Sequence, residues 1–326
     1  MFALSKKTFA SYPSFSAPPL PALLSQLLEN QQRVWPLAAK GYAALQYAQI
    51  REVQCRTFSV FLQFNPKRFV STGAKIDADS IRIRRCFLCV ESLPPEQRGV
   101  LYAQTFLVLC NPMPIFPAHF TIAHIQHQPQ IIAAHFATLL QLARDLSPAF
   151  TVFYNGAQCG ASAPDHLHFQ AAPAGRIPLE HEAVKASRRE RVHEIDGVAI
   201  SRLKELGRAV LVIEGADAEK LIHVLQQLLV KMQKILHSAD EPKINMICQY
   251  QASQWRIILF LRRKHRPEVF FKAGEAKVLI SPASVDMGGL VITPMEKDFR
   301  TVGAEMIEAI FREVSWDETT IQKLWL

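Results

Sequence analysis

Two histidines and a glutamine at alternating positions form the stretch of this sequence best suited to chemistry. They are His166, His168 and Gln170, in the run His-Leu-His-Phe-Gln. In a β-strand, side chains two positions apart share one face, so these three would line one side while Leu167 and Phe169 pack on the other. An imidazole on such a face can attack phosphorus. The simpler interpretation is a strand whose histidines are ordinary core or surface residues.

A loop of small residues leads into this strand. It runs from Asn155 to Asp165 and contains two glycines, Gly156 and Gly160. Small residues let backbone N–H groups approach an anion closely, so we expect a phosphate-binding loop. The expected anion contacts are Asn155, Gly160, Ala161 and Ser162, with Ser162 helping to stabilise charge that develops on phosphorus. A histidine nucleophile beside such a loop indicates phosphoryl or nucleotidyl transfer.

A Cys-x-x-Cys pair, Cys86 and Cys89, precedes the loop in the chain. Two thiolates in a turn can bind zinc if two further ligands come from elsewhere, and a redox pair is the competing interpretation. No thioredoxin-like pattern surrounds the pair. His166 is the natural fourth ligand, and the candidates for the third are His119, His124 and His127. With four protein ligands the metal would be structural, because no position is left for water.

These motifs resemble the histidine-triad superfamily. The resemblance is to its transferase branch, in which glutamine replaces the third histidine and which holds galactose-1-phosphate uridylyltransferase, diadenosine tetraphosphate phosphorylases and GDP-hexose phosphorylases. The Gly-Ala-Ser-x-Pro run is most similar to the phosphorylases, although Asp165 makes the loop one residue longer than in the diadenosine enzymes. His-Leu-His-Phe-Gln is similar to the GDP-hexose phosphorylase version. The resemblance is strong over about residues 85–172 and weak outside them.

The resemblance implies roles for several residues. His168 would be the covalent nucleophile, with the proton on its other ring nitrogen held by the backbone carbonyl of His166. Gln170 would donate its amide to a phosphate oxygen and, being neutral, could not act as an acid. Asn111 would bind the ribose, and His127 would be the third zinc ligand.

Composition bounds the class of protein. The chain has 326 residues, of which 49% are hydrophobic and 20% charged, as in globular proteins. No apolar run reaches the ~18 residues of a membrane span, and the first residues lack a signal-peptide core. Six cysteines in this length do not make a disulfide scaffold, so a cytoplasmic location is expected.

The net charge of +8 suits an enzyme with polyanionic nucleotide substrates. No long basic tract or nucleic-acid module is present, so the expected partners are a nucleotide and a phosphate acceptor, without nucleic acid or membrane. A homodimer is expected by analogy with relatives. The basic run from Arg262 to Arg266, with Arg262, Arg263 and Lys264 as the expected substrate contacts, is either a phosphate-facing patch or a solvated turn. Two earlier turns, 65–68 and 71–75, are either phosphate or ribose contacts or ordinary polar turns.

The pattern of elements predicts an α+β protein with a duplicated histidine-triad-like fold, built from antiparallel sheets with packed helices. Strand, helix, strand, strand over residues 208–261 repeats the order over residues 104–172, but Trp255 and its neighbours replace the histidine motif. The second repeat is therefore degenerate. The expected segments are an N-terminal arm with helices (1–56), a catalytic repeat (57–175), a charged connector (176–207) and the degenerate repeat (208–326). Within them we expect helices over 20–34, 37–50, 130–146, 218–236 and 296–314.

The function expected is that of a nucleotidyltransferase or phosphorylase acting on a nucleoside diphosphate sugar or a dinucleoside polyphosphate. It would work through a nucleotidyl-His168 intermediate that phosphate or a sugar phosphate then discharges, with ping-pong kinetics. The competing functions are a histidine-triad nucleotide hydrolase and a non-catalytic nucleotide-binding protein.

Overall fold

A computed structural model describes residues 2–13, 18–67 and 84–325. The described strands are β1 (Thr8–Tyr12), β2 (Gln49–Gln54), β3 (Ser59–Phe64), β4 (Gly99–Tyr102), β5 (Phe106–Cys110), β6 (Phe120–His124), β7 (Phe150–Asn155), β8 (His168–Pro173), β9 (Arg189–Ile195), β10 (Val198–Leu203), β11 (Val210–Gly215), β12 (Ile244–Gln251), β13 (Gln254–Leu261) and β14 (Leu290–Thr293). The described α-helices are α1 (Phe2–Lys7), α2 (Leu20–Val34), α3 (Pro36–Ala43), α4 (Phe136–Leu146), α5 (Leu179–Glu182), α6 (Ala218–Leu236), α7 (Ser284–Met287), α8 (Glu296–Thr301), α9 (Ala304–Val314) and α10 (Glu318–Gln322).

The strand order of the main sheet shows the duplication. Eleven strands follow one another as β1-β4-β5-β6-β8-β7-β12-β13-β11-β10-β9. Apart from the parallel pair β1 and β4, the neighbours are antiparallel. The strands β4-β5-β6-β8-β7 and the strands β9-β10-β11-β13-β12 have the same spatial order, each read from the outer strand inward. The two sets meet where β7 pairs with β12. The α+β class and the duplicated fold are therefore confirmed.

Helices and a second sheet cover opposite faces of this large sheet. On one face α2, α4 and α6 pack over a core that includes Phe169 from β8 and Leu167, the residue just before this strand. The other face carries a three-stranded sheet, β14-β3-β2, and helix α9. Side chains of β8 that alternate with Leu167 and Phe169 must point toward this second face. His168 and Gln170 therefore lie on the side away from α2, α4 and α6.

The N-terminal segment differs from the prediction. Ahead of the first predicted helix, residues 2–12 form α1 and β1, which were not expected, and β1 adds a parallel edge strand beside β4. The helix expected over 37–50 ends at Ala43, passes into a 3₁₀ turn, and gives way to β2 at Gln49. Tertiary pairing of β2 with β3 overrides the local helical pattern here.

The charged connector predicted over 176–207 is wrong in its second half. Residues 189–203 form the hairpin β9–β10, so strands of the second repeat begin at Arg189 and not at residue 208. Asp196 and Gly197 at its turn have φ of 51° and 81°, the left-handed backbone that Asp-Gly hairpin turns use. Charged residues suit this position because β9 is the edge of the sheet, where they oppose pairing with other chains.

Of the four remaining predicted helices, two are confirmed and two differ in extent. Helices α2 and α6 have the predicted bounds, and Asp217 caps α6 by accepting the N–H groups of Glu219 and Lys220. The helix expected over 130–146 begins only at Phe136, and the one over 296–314 is interrupted at Val302 and Gly303. None of the helices in the described parts of the chain is long and apolar enough to span a bilayer.

The turn at residues 65–67 is an ordinary polar turn. The buried Asn65 side chain donates to the Ala44 carbonyl and accepts the Lys67 N–H. Arg68 and the second turn, residues 71–75, lie outside the described residues.

Candidate active site and metal centre

A cavity of ≈ 540 Å³ opens on the face of the large sheet that carries His168 and Gln170. Its polar wall combines the motif strand with the loop over 160–163 and with Asn155, and the second repeat adds Arg266, Ser281 and Asp286. The rest of the wall is apolar and includes Trp35, Leu37, Phe87, Leu93 and Met113. A cavity that combines apolar side chains with possible anion-binding groups suits a molecule that carries both a nucleobase and phosphates.

His168 is held in the tautomer that a nucleophile needs. Its Nδ1 lies 2.8 Å from the backbone oxygen of His166, and because a carbonyl only accepts, Nδ1 carries the proton. The lone pair is therefore on Nε2. Burial lowers the pKa of His168 to about 4, so the ring is neutral at pH 7.

Gln170 is oriented by a histidine that sequence analysis considered only as a zinc ligand. His119 accepts the Ile115 N–H at Nδ1 (3.3 Å), so its Nε2 carries the proton and donates to Gln170 Oε1 at 2.9 Å. The amide oxygen of Gln170 is thereby engaged. Its NH2 group has no hydrogen-bond partner among the described residues and can donate to a ligand in the cavity.

Asn155 repeats this arrangement on the neighbouring strand. Its Oδ1 accepts the Ser284 N–H (2.8 Å), the Ser284 hydroxyl (2.7 Å) and the Asn245 amide (3.0 Å). The backbone N–H of Ser284 can only donate, which fixes which end of the Asn155 amide is oxygen. Two cavity-lining amides thus have their oxygens anchored in the protein, and among the described residues their NH2 groups have no hydrogen-bond partner.

The loop over 160–163 requires glycine at its first position. Gly160 has φ of +91°, and a Cβ there would lie 2.5 Å from the Cβ of Ala283. Both the backbone conformation and the close approach therefore exclude larger residues. The exposed Ser162 and the buried Ala161 follow, and all three line the cavity as expected for an anion-binding loop.

Gln130 completes the site and was missed by sequence analysis, which placed it in a helix. Its buried side chain accepts the His168 N–H (2.7 Å) and donates to the carbonyls of His168 (2.9 Å) and Asn155 (2.8 Å). The ladder between β7 and β8 ends at Phe153 and Gln170, and its register would next place Asn155 opposite His168. The Gln130 amide supplies the hydrogen bonds that this strand pair would otherwise make and holds the peptide group of His168.

Four side chains form a candidate metal centre next to His168. They are Cys86, Cys89, His127 and His166, whose ligand atoms all lie within 4.8 Å of one another. Nδ1 of His166 lies 3.2 Å from Cys86 Sγ and 3.6 Å from Cys89 Sγ, and 3.3 Å from Nδ1 of His127. Tetrahedral zinc, with bonds of about 2.3 Å to sulfur and about 2.0–2.1 Å to nitrogen, would separate the nitrogens by roughly 3.3 Å and nitrogen from sulfur by roughly 3.5 Å. The donor set and its spacing fit such an ion.

The surroundings of the cluster orient its two histidines. His166 donates from Nε2 to the backbone carbonyl of His124 at 2.7 Å, which turns its Nδ1 lone pair to the cluster. Nε2 of His127 lies 3.9 Å from Asp165, which Arg84 holds at 2.7 Å. Of the three candidates for the third ligand, His127 is the one in the cluster. His124 contributes only its backbone, and His119 binds Gln170.

The basic run Arg262–Arg266 after β13 contributes one cavity residue, Arg266, which belongs to the expected patch but is not one of the three expected substrate contacts. Arg262 is buried and donates to Asn245 and to backbone carbonyls, including that of Pro282. Arg263 contacts Glu313 and Asp317, and Lys264 pairs with Glu268 and Glu313. The three are engaged by protein groups and do not line the cavity, so the expected substrate contacts there are corrected. Arg266 does line it.

Asn111, the expected ribose contact, lies at the cavity after β5. Its Oδ1 accepts the Met113 N–H at 2.9 Å, and both residues line the wall. Phe87, between the two cysteines of the cluster, is 48% exposed and belongs to the same wall. The cysteine turn therefore shapes the apolar part of the cavity as well as providing two of the candidate metal ligands.

Comparisons with known proteins follow the division into two repeats. Residues 27–173 match a family model described as a domain of unknown function (DUF4922), and residues 182–325 match the model of the GDPGP1-like C-terminal domain. No curated protein matches the sequence at a significant level.

Among solved structures, the chain resembles the yeast Ap4A phosphorylase Apa2. The match to its complex with AMP has 14% sequence identity and a TM-score of 0.58, and covers 90% of this chain and 96% of that one. The match to its complex with Ap4A has the same identity and TM-score and covers 90% and 97%. At this identity the likeness shows a shared fold.

Proposed function

We propose that this chain, which belongs to the transferase branch of the histidine-triad superfamily, transfers a nucleotidyl group through His168 from a nucleoside diphosphate sugar or a dinucleoside polyphosphate to phosphate. The observation that carries the proposal is the hydrogen bond from His168 Nδ1 to the His166 carbonyl, which leaves an unprotonated Nε2 at a cavity lined by anion-binding groups. The fold and the GDPGP1-like match support the phosphorylase class.

In the first half-reaction, Nε2 of His168 attacks the α-phosphorus. A bond forms between nitrogen and phosphorus, and the bond from phosphorus to the bridging oxygen breaks, so the leaving group departs with a terminal phosphate. The NH2 groups of Gln170 and Asn155 and the backbone of Gly160–Ser162 are the donors for the charge on the transferred phosphoryl oxygens.

In the second half-reaction, an oxygen of phosphate attacks the same phosphorus. The nitrogen–phosphorus bond breaks, His168 recovers its lone pair, and a nucleoside diphosphate leaves. Gln170 accounts for the preference for transfer over hydrolysis, because an amide cannot remove a proton from water. Phosphate at neutral pH carries an ionised oxygen and needs no such base.

The cluster of Cys86, Cys89, His127 and His166 would hold zinc as a structural ion. Zinc there would supply cross-linking and no open coordination position, since all four ligands come from the protein. His166 links this centre to the reaction, because the residue that binds metal through its ring accepts the His168 proton through its carbonyl. Metal binding would in this way hold the nucleophile in register.

The proposal is tested by product analysis with and without phosphate. The wild-type protein is incubated with ADP-sugars, GDP-sugars and dinucleoside tetraphosphates, and the release of nucleoside diphosphate is measured. We expect phosphate-dependent cleavage of at least one class and a loss of several orders of magnitude in His168→Ala. Cleavage to the nucleoside monophosphate at equal rate without phosphate would instead identify a hydrolase. No cleavage despite tight nucleotide binding would identify a binding protein.

A further inference from the structure

Arg266 occupies a distinctive position in the cavity wall. Among the described residues it is the one lysine or arginine that lines the cavity. Nε donates to Ser281 Oγ at 2.9 Å, and the guanidinium carbon lies 4.2 Å from the centre of the Phe270 ring. A guanidinium held by its Nε and stacked on a ring presents its two NH2 groups in a fixed plane, the geometry that binds two phosphate oxygens at once.

Arg266 forms no ion pair with any of the described residues. In the part of the chain that the structure describes, no carboxylate lies within ion-pairing distance of it, whereas Lys264 nearby in sequence has two. The side chain is half-buried, so its field is less screened by water than that of a surface residue. A half-buried cation at the wall of a cavity, with no ion pair to the described part of the chain, favours an anionic ligand.

Arg266 also lies close to the loop that receives the transferred phosphoryl group. Its partner Ser281 is followed by Pro282 and Ala283, and Ala283 is the residue that packs against Gly160. The carbonyl of Pro282 is fixed by buried Arg262 at 2.8 Å. The second repeat thus brings one positive charge beside the anion loop of the first.

We propose that Arg266 binds the phosphate group that leaves in the first half-reaction and the inorganic phosphate that attacks in the second. This inference rests on the proposed function. In-line displacement places the leaving oxygen opposite His168 Nε2, and the attacking oxygen of the second step must approach along the same line. One cation therefore serves both steps, and the degenerate repeat, which lacks a nucleophile, supplies it.

The discriminating experiment separates phosphate from water as the attacking group. The nucleotidyl-enzyme is formed with a substrate and separated from the remaining substrate. The rate of its discharge is then measured in a quench-flow instrument at increasing concentrations of inorganic phosphate. For Arg266→Gln we expect the half-saturating phosphate concentration to rise by roughly thirtyfold or more, because a charge-assisted bidentate contact is lost. Discharge by water should not change, since water carries no charge. Arg266→Lys should recover part of the loss.

The control is Lys272→Gln, which removes one positive charge from an exposed position in the same segment. Its half-saturating phosphate concentration should equal that of the wild type. Equal half-saturating concentrations in the wild type and Arg266→Gln would overturn the proposal. If Arg266→Gln does not fold, an unchanged phosphate dependence in Arg266→Lys overturns it, because lysine cannot form the bidentate contact.

Calorimetry of inorganic phosphate binding distinguishes the two proposals. Suppose that the wild type forms no nucleotidyl-enzyme but binds inorganic phosphate more tightly than Arg266→Gln does. That result would refute the transferase function and support Arg266 as part of an anion site. A nucleotidyl-enzyme that is discharged equally well in both proteins would support the function and refute the role of Arg266.

Discussion

Replacing Gln130 by leucine tests how the nucleophile is held. The substitution keeps much of the volume but removes one acceptor and two donated hydrogen bonds, leaving the His168 N–H and the carbonyls of His168 and Asn155 without that partner. Each buried polar group without a hydrogen-bond partner costs about 1–3 kcal/mol. If the site stayed rigid, the free energy of unfolding would therefore fall by about 3–9 kcal/mol for the three groups. That is comparable with the total stability of a protein, about 5–15 kcal/mol.

Because this cost is so large, the strands should relax. β7 and β8 can close so that Asn155 and His168 pair directly, which satisfies their backbone groups but moves the imidazole. We therefore expect a modest loss in the free energy of unfolding, about 2–4 kcal/mol, together with a larger loss of function. A displacement of about 1 Å at a reacting group lowers the rate by roughly a hundredfold.

Urea denaturation and single-turnover formation of the nucleotidyl-enzyme measure the two effects. The matched control is Gln141→Leu on the exposed side of α4, which removes one hydrogen bond to Asp145 and should change neither measurement appreciably. Gln130→Glu keeps the acceptor for the His168 N–H but turns an oxygen toward two carbonyls, so it should also be impaired. A Gln130→Leu enzyme that forms the intermediate within threefold of the wild-type rate would refute this reasoning.

Three further predictions concern the rest of the site. Gln170→His should raise hydrolysis relative to transfer, because imidazole can act as a base toward water; an unchanged product ratio in phosphate-containing buffer would contradict this. His119→Phe should remove the anchor of the Gln170 amide and lower the transfer rate roughly tenfold with little change in nucleotide affinity, measured as separate kcat and KM values. Cys86→Ser should abolish zinc binding and lower the melting temperature, with metal content determined by atomic absorption; a wild-type protein with less than about a tenth of an equivalent of zinc would remove the claim.

The parts of the site that lie within one short segment could be predicted from the sequence. Alternation predicted that His166, His168 and Gln170 share one face and that Leu167 and Phe169 pack in the core. This is so for all but His166, which precedes β8 and lies in the cysteine and histidine cluster instead of lining the cavity. The cysteine pair could be recognised in the same way, and resemblance selected His127 from the three candidate histidines. Each of these inferences needs only strand geometry or a spacing that metal ligands share.

The parts that depend on distant segments could not be predicted. Gln130 lies after a proline and before an apolar helical pattern, so local rules extend the helix over it, whereas the gap between β7 and β8 draws its side chain into the sheet. Ser284 and Asn245 reach Asn155 only because β7 of the first repeat pairs with β12 of the second. The Asp196-Gly197 dipeptide is typical of a hairpin turn, but the many charged residues around it favoured the prediction of a connector.

The most direct test of the covalent mechanism is to locate the nucleotidyl group. The enzyme is incubated with a substrate in phosphate-free buffer, digested under mildly alkaline conditions that preserve phosphoramidates, and mapped by mass spectrometry. The account predicts one nucleoside monophosphate on the peptide that contains His168, and its disappearance when phosphate is added before digestion. Phosphate-dependent turnover with an unmodified His168, or with the label on another residue, would contradict it.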